Sequence, residues 1–179
     1  MQKIELDSET YYENKGKFYN SSFWEVDSVI KNRLLCQILN SADYKNMSQK
    51  EIIEFIYKIK ETEDFIHCKE ICLFALNKFG TDEIFVTKVL PIITSVYRNL
   101  KEPEKAIDIA KEQRKKFKCE SVALYTSLAG AYCDIEDYET AKKFANSAYK
   151  CQGGGVGYKN ELSLVYARIQ KETKTTKKD

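Results

Sequence analysis

Apolar residues recur every three or four positions along most of this chain, the spacing of a single buried stripe on an α-helix. Phe23, Val26, Ile30, Leu34 and Ile38 make the first such stripe, on a helix of about five turns. Ser21 or Ser22 can cap its start, and Asn40-Ser41 ends it. Ser48 followed by Glu51 matches a capping box and opens a second helix, whose buried side is Ile52, Ile53, Phe55, Ile56 and Ile59. Further helical patterns cover roughly 64–78, 82–99, 103–117, 120–134, 138–151 and 158–172. Such short connections make neighbouring helices antiparallel. Strand-type alternation is never sustained, so the predicted fold class is all-α. Residues 1–20, with Tyr11, Tyr12, Phe18 and Tyr19 but no clean period, read as an irregular aromatic arm. Residues 21–172 read as one helical domain and 173–179 as a polar, Lys-rich tail.

The helical pattern repeats. Tyr97, Tyr132 and Tyr166 follow one another at nearly constant spacing, and Ile93, Leu128 and Leu162 stand four residues before each of them, on the same helix face. Ala106 and Ala141 lie nine residues after the first two tyrosines, and Ala110 and Ala145 four residues later. A large residue on one helix facing a small one on the next lets two antiparallel axes approach without a void. One such pair cannot bury its faces alone, so pairs are expected to stack.

In these residues the chain resembles the tetratricopeptide repeat family. Leu128-Ala129 with Tyr132, then Tyr138 with Ala141 and Ala148, looks like that family's pattern of large and small positions. Residues 87–120 carry a second copy (Ile93, Tyr97, Ala106, Ala110) with Pro103 opening its second helix, and 156–172 look like an unpaired, capping first helix. A degenerate copy covers 49–82, with Ile59 in the Tyr place, Phe65 as second aromatic, Cys68 and Cys72 in the small places and Ala75 closing. Glu102 and Glu136 stand where the pattern has a small residue at the middle turn. The resemblance implies a short, right-handed α-solenoid of helix pairs with a C-terminal capping helix, strongest over 87–172. It implies a shape and not a chemistry.

Charge narrows the function classes. The chain has 29 Lys and Arg against 27 Asp and Glu, a net charge of +2, and only four of the basic residues are Arg. That balance lacks the dense positive field of a dedicated nucleic-acid binder. The six cysteines fall on predicted helix faces, where a free thiol acts as a small apolar residue. The N-terminal segment shows no apolar secretory core, and no apolar run approaches the ~18 residues of a membrane span. A cytoplasmic location with reduced thiols is expected.

Each local hint of chemistry has a simpler structural reading. Cys68 and Cys72 share a helix face with His67 adjacent, but no further ligands complete a metal site, and both occupy small packing positions. His67 is the sole histidine, and no nucleophile and acid at recognisable spacing complete a triad. The glycines of 153–157 follow a helix rather than a strand, so they read as a helix-ending turn and not a phosphate loop. The aromatic cluster of Tyr11, Tyr12, Phe18, Tyr19, Phe23 and Trp24 reads as a seal over the first helices. No catalytic residue, metal or cofactor is predicted.

The resemblance implies that the first helix of each pair lines a concave face. Counting from the Tyr places puts Lys50, Tyr57, Lys60, Lys88, Ser95, Arg98, Asn99, Thr126, Gly130, Asp134, Asn160 and Arg168 toward it. Lys50, Lys60, Lys88 and Arg98 would steer an acidic peptide or helix there. Ile53, Pro91 and Thr126 stand where the carboxylate clamp of chaperone-binding members would begin, so capture of a chaperone C-terminus is not expected. The expected function is a non-enzymatic protein-interaction module, a small adaptor or regulator, with self-association through a solenoid end compatible with it. The alternative is a regulator that contacts nucleic acid or a nucleotide-linked partner through a basic groove and the Lys-rich tail.

Overall fold

The structure, a computed structural model, describes residues 42–151 and 159–175. The aromatic arm, the helix expected over Phe23–Ile38 and the glycines of 153–157 lie outside the described residues. Each α-helix among the described residues lies where the apolar periodicity placed one, whereas the 3-10 turn that precedes them has no apolar pattern and was not expected. A 3-10 turn at Tyr44–Asn46 precedes α1 (Gln49–Glu61), α2 (Phe65–Phe79), α3 (Glu83–Asn99), α4 (Pro103–Lys116), α5 (Val122–Asp134), α6 (Tyr138–Cys151) and α7 (Lys159–Thr175). The last helix runs past 172 into the expected tail. Among the described residues there is no strand, and no helix is long and apolar enough to cross a membrane.

Local chemistry sets the helix starts. Ser48 and Glu51 form the predicted capping box on α1, with the Ser48 backbone N–H donating to Glu51 Oε2 at 2.8 Å. Asp64, Asp82 and Ser121 accept from backbone N–H groups in the first turns of α2, α3 and α5, and Asp137 does the same at α6. Pro103 begins α4, where its missing N–H costs nothing.

One turn recurs between the helices of each pair. Glu63, Lys101 and Glu136 all adopt positive φ, at 61°, 62° and 64°. Each stands four residues after the repeat's marker, Ile59, Tyr97 or Tyr132. The Glu102 N–H then donates to the Tyr97 carbonyl and the Asp137 N–H to that of Tyr132, both at 2.9 Å, the closing bond of a Schellman-type helix end. In the first turn the Thr62 hydroxyl accepts from the Asp64 N–H. The middle-turn position is thus Lys101 rather than Glu102, and it is a left-handed site held by charged residues. The sequence reading places it one residue late, at Glu102, although the four-residue offset that puts Glu136 after Tyr132 points to Lys101 after Tyr97.

Each helix packs on its chain neighbours, and helices joined through 62–64, 80–82, 100–102 and 135–137 have room only to run antiparallel. The odd-numbered helices also pack directly on one another, α1 on α3, α3 on α5 and α5 on α7. The core that results is continuous along the described chain. Ile52, Ile56 and Ile59 meet Cys68, Cys72 and Ala75, and the series continues through Ile93, Ala106, Ala110, Leu128, Ala141, Ala145, Ala148 and Leu162. All of the named alanines and both cysteines are completely buried. Cys68 and Cys72 are therefore small packing residues of the core. Ile53 is only half-buried and packs at the margin.

The three tyrosines differ in their surroundings. Tyr132 is buried, stacked on Phe144 of α6 with centroids 5.3 Å apart and planes 11° apart, and Lys111 Nζ of α4 lies over its ring, 5.9 Å from the centroid. Tyr97 is buried likewise; loss of hydration, then the carboxylate of Glu102, raises its phenol pKa. Tyr166 is half-buried, and its hydroxyl donates to Asn146 Oδ1 on α6 at 2.7 Å.

Candidate partner-binding surface

The residues nominated from sequence all fall within the odd-numbered helices α1, α3, α5 and α7. Their register is simple. The position two residues before each marker is Tyr57, Ser95, Gly130 and Leu164 in turn on α1, α3, α5 and α7. Positions one or two after the markers supply Lys60, Arg98, Asn99, Asp134 and Arg168.

Three of these meet. Arg98 Nε donates to Asp134 Oδ2 at 2.8 Å, and Arg168 Nη1 donates to Asp134 Oδ1 at 2.7 Å. One carboxylate on α5 therefore ties α3 to α7, with both of its oxygens engaged. The side chains of Arg98 and Asp134 are each 26% exposed and that of Arg168 is 45% exposed. Partial burial opposes the charge on Arg168, and the hydrogen bond and field of Asp134 outweigh it, so its guanidinium is held more firmly protonated than usual. Two cations share one anion, and the cluster carries a net charge of +1.

Gly130 explains how Arg98 reaches its partner. A Cβ on Gly130 would stand 2.2 Å from Arg98 Cζ and 2.4 Å from both Nη atoms. The guanidinium lies directly against the α5 backbone, one turn before Asp134. Only glycine leaves that space. Cys133, beside the cluster, is buried, and loss of hydration raises its thiol pKa.

The other nominated residues divide. Tyr57, on α1, is 49% exposed. Lys50 and Lys88 are exposed and Lys60 is half-buried; Lys60 lies in the field of the Cys68 thiol, and Lys88 in that of Asp82 at the start of its own helix. None of these three lysines joins the arginine cluster through a hydrogen bond or ion pair within the described residues. Ser95 is half-buried, and Asn99 turns its amide onto the Ser95 carbonyl at 2.9 Å. Thr126 corrects the expectation of a groove-lining side chain. It is buried, 3% exposed, because α5 is packed by helices on several sides, and its hydroxyl has no hydrogen-bond partner among the described residues. Gly130 is likewise buried beneath Arg98. The side chain of Asn160 lies outside the described residues.

Leu164 was not nominated, yet it is 67% exposed at the register position that Tyr57, Ser95 and Gly130 share. Carrying that register one repeat further would have found it. His67 sits on the outside of α2, half exposed, with Nδ1 2.6 Å from Asp64 Oδ2; that bond chiefly raises its pKa. Among the described residues no group of three or more His, Cys, Asp or Glu is arranged to hold a metal. No family model matches this chain, and neither a curated protein nor a solved structure is significantly similar to it.

Proposed function

We propose that the helix pairs form a short, right-handed, tetratricopeptide-like solenoid and that the protein is a non-enzymatic interaction module, a small adaptor or regulator. The face of α1, α3, α5 and α7 would receive a peptide or helix of a partner protein. Three features support the solenoid: the recurring left-handed turn, the tyrosines set between successive second helices, and direct packing among the odd-numbered helices.

The observation that carries the binding reading is the composition of that face. Two arginines are held partly exposed by one aspartate, and Tyr57 on α1 and Leu164 on α7 are exposed as well. Aromatic and arginine side chains are the groups enriched where binding energy concentrates. The test is capture of proteins from the native cell lysate by the wild-type chain and by a Lys60→Glu/Arg98→Glu variant with an unchanged far-UV circular dichroism spectrum. Loss of a reproducible partner from the variant supports the reading. Equal recovery by both chains would sink it. A nucleic acid recovered instead, with an affinity that falls steeply with salt, would move the face to the alternative class.

A further inference from the structure

We propose that Asp134 is a built-in competitor for a partner's carboxylate, and that the segment which binds here is an acidic peptide with an apolar side chain about one helical turn from its acid. This rests on the protein-interaction reading above and specifies its chemistry.

The geometry gives the argument. Asp134 accepts one bond from each arginine, through Nε of Arg98 and Nη1 of Arg168. A guanidinium offers five N–H donors, so each keeps donor capacity beyond its bond to Asp134. The cluster's net +1 is neutralised by one further carboxylate and made worse by any cation. Arg98 is fixed against the Gly130 backbone, so its donors are oriented before a ligand arrives. Leu164 lies one turn from Arg168 on the same face of α7 and is two-thirds exposed. An acid and an apolar group at matching separation would meet Arg168 and Leu164 together. Asp134 meanwhile repels that acid and holds the donors it would use. An incoming acid therefore shares the two guanidiniums with Asp134 or displaces it, and in either case it works against that charge.

The experiment selects a displayed library of random 16-residue peptides on the full chain and measures the enriched peptides by fluorescence anisotropy. The proteins compared are wild type, Arg98→Gln, Asp134→Asn and Tyr57→Ala, each checked for an unchanged helical spectrum. Enriched peptides are expected to share an Asp or Glu near an apolar residue, and to lose at least tenfold in affinity with Arg98→Gln. Asp134→Asn keeps the side-chain shape and removes its charge. It should tighten binding about fivefold, the effect of one like charge about 4 Å away in watery surroundings. Unchanged or weaker binding to Asp134→Asn would overturn the competitor role. Enriched peptides without acids, sensitive to Tyr57→Ala but not to Arg98→Gln, would overturn the acidic-partner proposal and leave the interaction reading standing. Selection of no peptide that depends on this face would remove both, as would Arg98-dependent binding of a labelled single-stranded oligonucleotide alone.

Discussion

Gly130→Ala separates what this surface does for stability from what it does for binding. Gly130 lies inside α5, where glycine is less favourable than alanine by about 0.8–1 kcal/mol. The methyl group cannot enter while Arg98 stays in place, because its carbon would stand 2.2 Å from the guanidinium carbon. The obstacle is the far end of a flexible side chain and not backbone, so Arg98 swings away. It then loses the 2.8 Å bond to Asp134, an exposed ion pair contributing about 0.2–1 kcal/mol. The two effects nearly cancel. Stability should change by between about −0.2 and about +0.8 kcal/mol, a rise in Tm of no more than about 3 °C for a chain of this size.

The same substitution in an Arg98→Ala background meets no obstacle and should show the full helix gain, about 1 kcal/mol. Urea denaturation of the four proteins in this double-mutant cycle gives the coupling between the two positions directly. Binding should not follow stability: Gly130→Ala should weaken any Arg98-dependent ligand although the protein loses no more than about 0.2 kcal/mol. A loss above about 2 kcal/mol that persists after Arg98 is removed would refute the reasoning, since the methyl group would then be meeting the core.

Three further outcomes follow from the packing and the turns. Glu136→Gly places glycine at the left-handed turn position, where other residues are strained by about 1–2 kcal/mol, and should raise stability by about 0.5–1 kcal/mol in denaturant titration. Ala145→Leu forces a larger side chain between completely buried helix faces and should cost about 1–3 kcal/mol, whereas Lys142→Leu at an exposed position of the same helix should stay within about 0.5 kcal/mol. The bond to Asp64 raises the pKa of His67 above 6.5, so its contribution is full below 6.5 and fades as pH rises through the folded-state value. Denaturation midpoints should therefore fall slightly between pH 6 and pH 8, and His67→Gln should flatten that slope.

The helices and their caps were legible in the sequence because each depends on residues close together in the chain. Ser48 and Glu51 specify a capping box wherever the helix ends up, and the stripe of Ile52, Ile56 and Ile59 specifies its buried side. The tyrosines were legible because a constant period turns distant residues into one statement. The arginine cluster was only half legible. Arg98, Asp134 and Arg168 were each nominated, and they do meet, but the pairing depends on which neighbour each side chain reaches across two helix interfaces. Thr126 failed for a related reason: register assigns a face, and only the packing of adjacent helices decides whether that face is covered at a given height.

Stability by itself gives no reason for the arrangement around Gly130. A glycine within a helix costs about as much as an exposed arginine–aspartate pair returns, so the pairing leaves the fold almost where an alanine would. A surface built only to hold three helices together would do better with apolar side chains in the middle and polar ones at the rim. Here the order is reversed: Ser95 and Gly130 stand in the centre, while Tyr57 and Leu164 remain exposed on the outer helices. Small central residues lower the floor of the surface and let Arg98 lie flat, with spare donors on a face that large apolar groups border. On the proposed reading, that ordering suits reception of a ligand better than consolidation of the core, and the one carboxylate that both arginines share would be the energetic centre of the face.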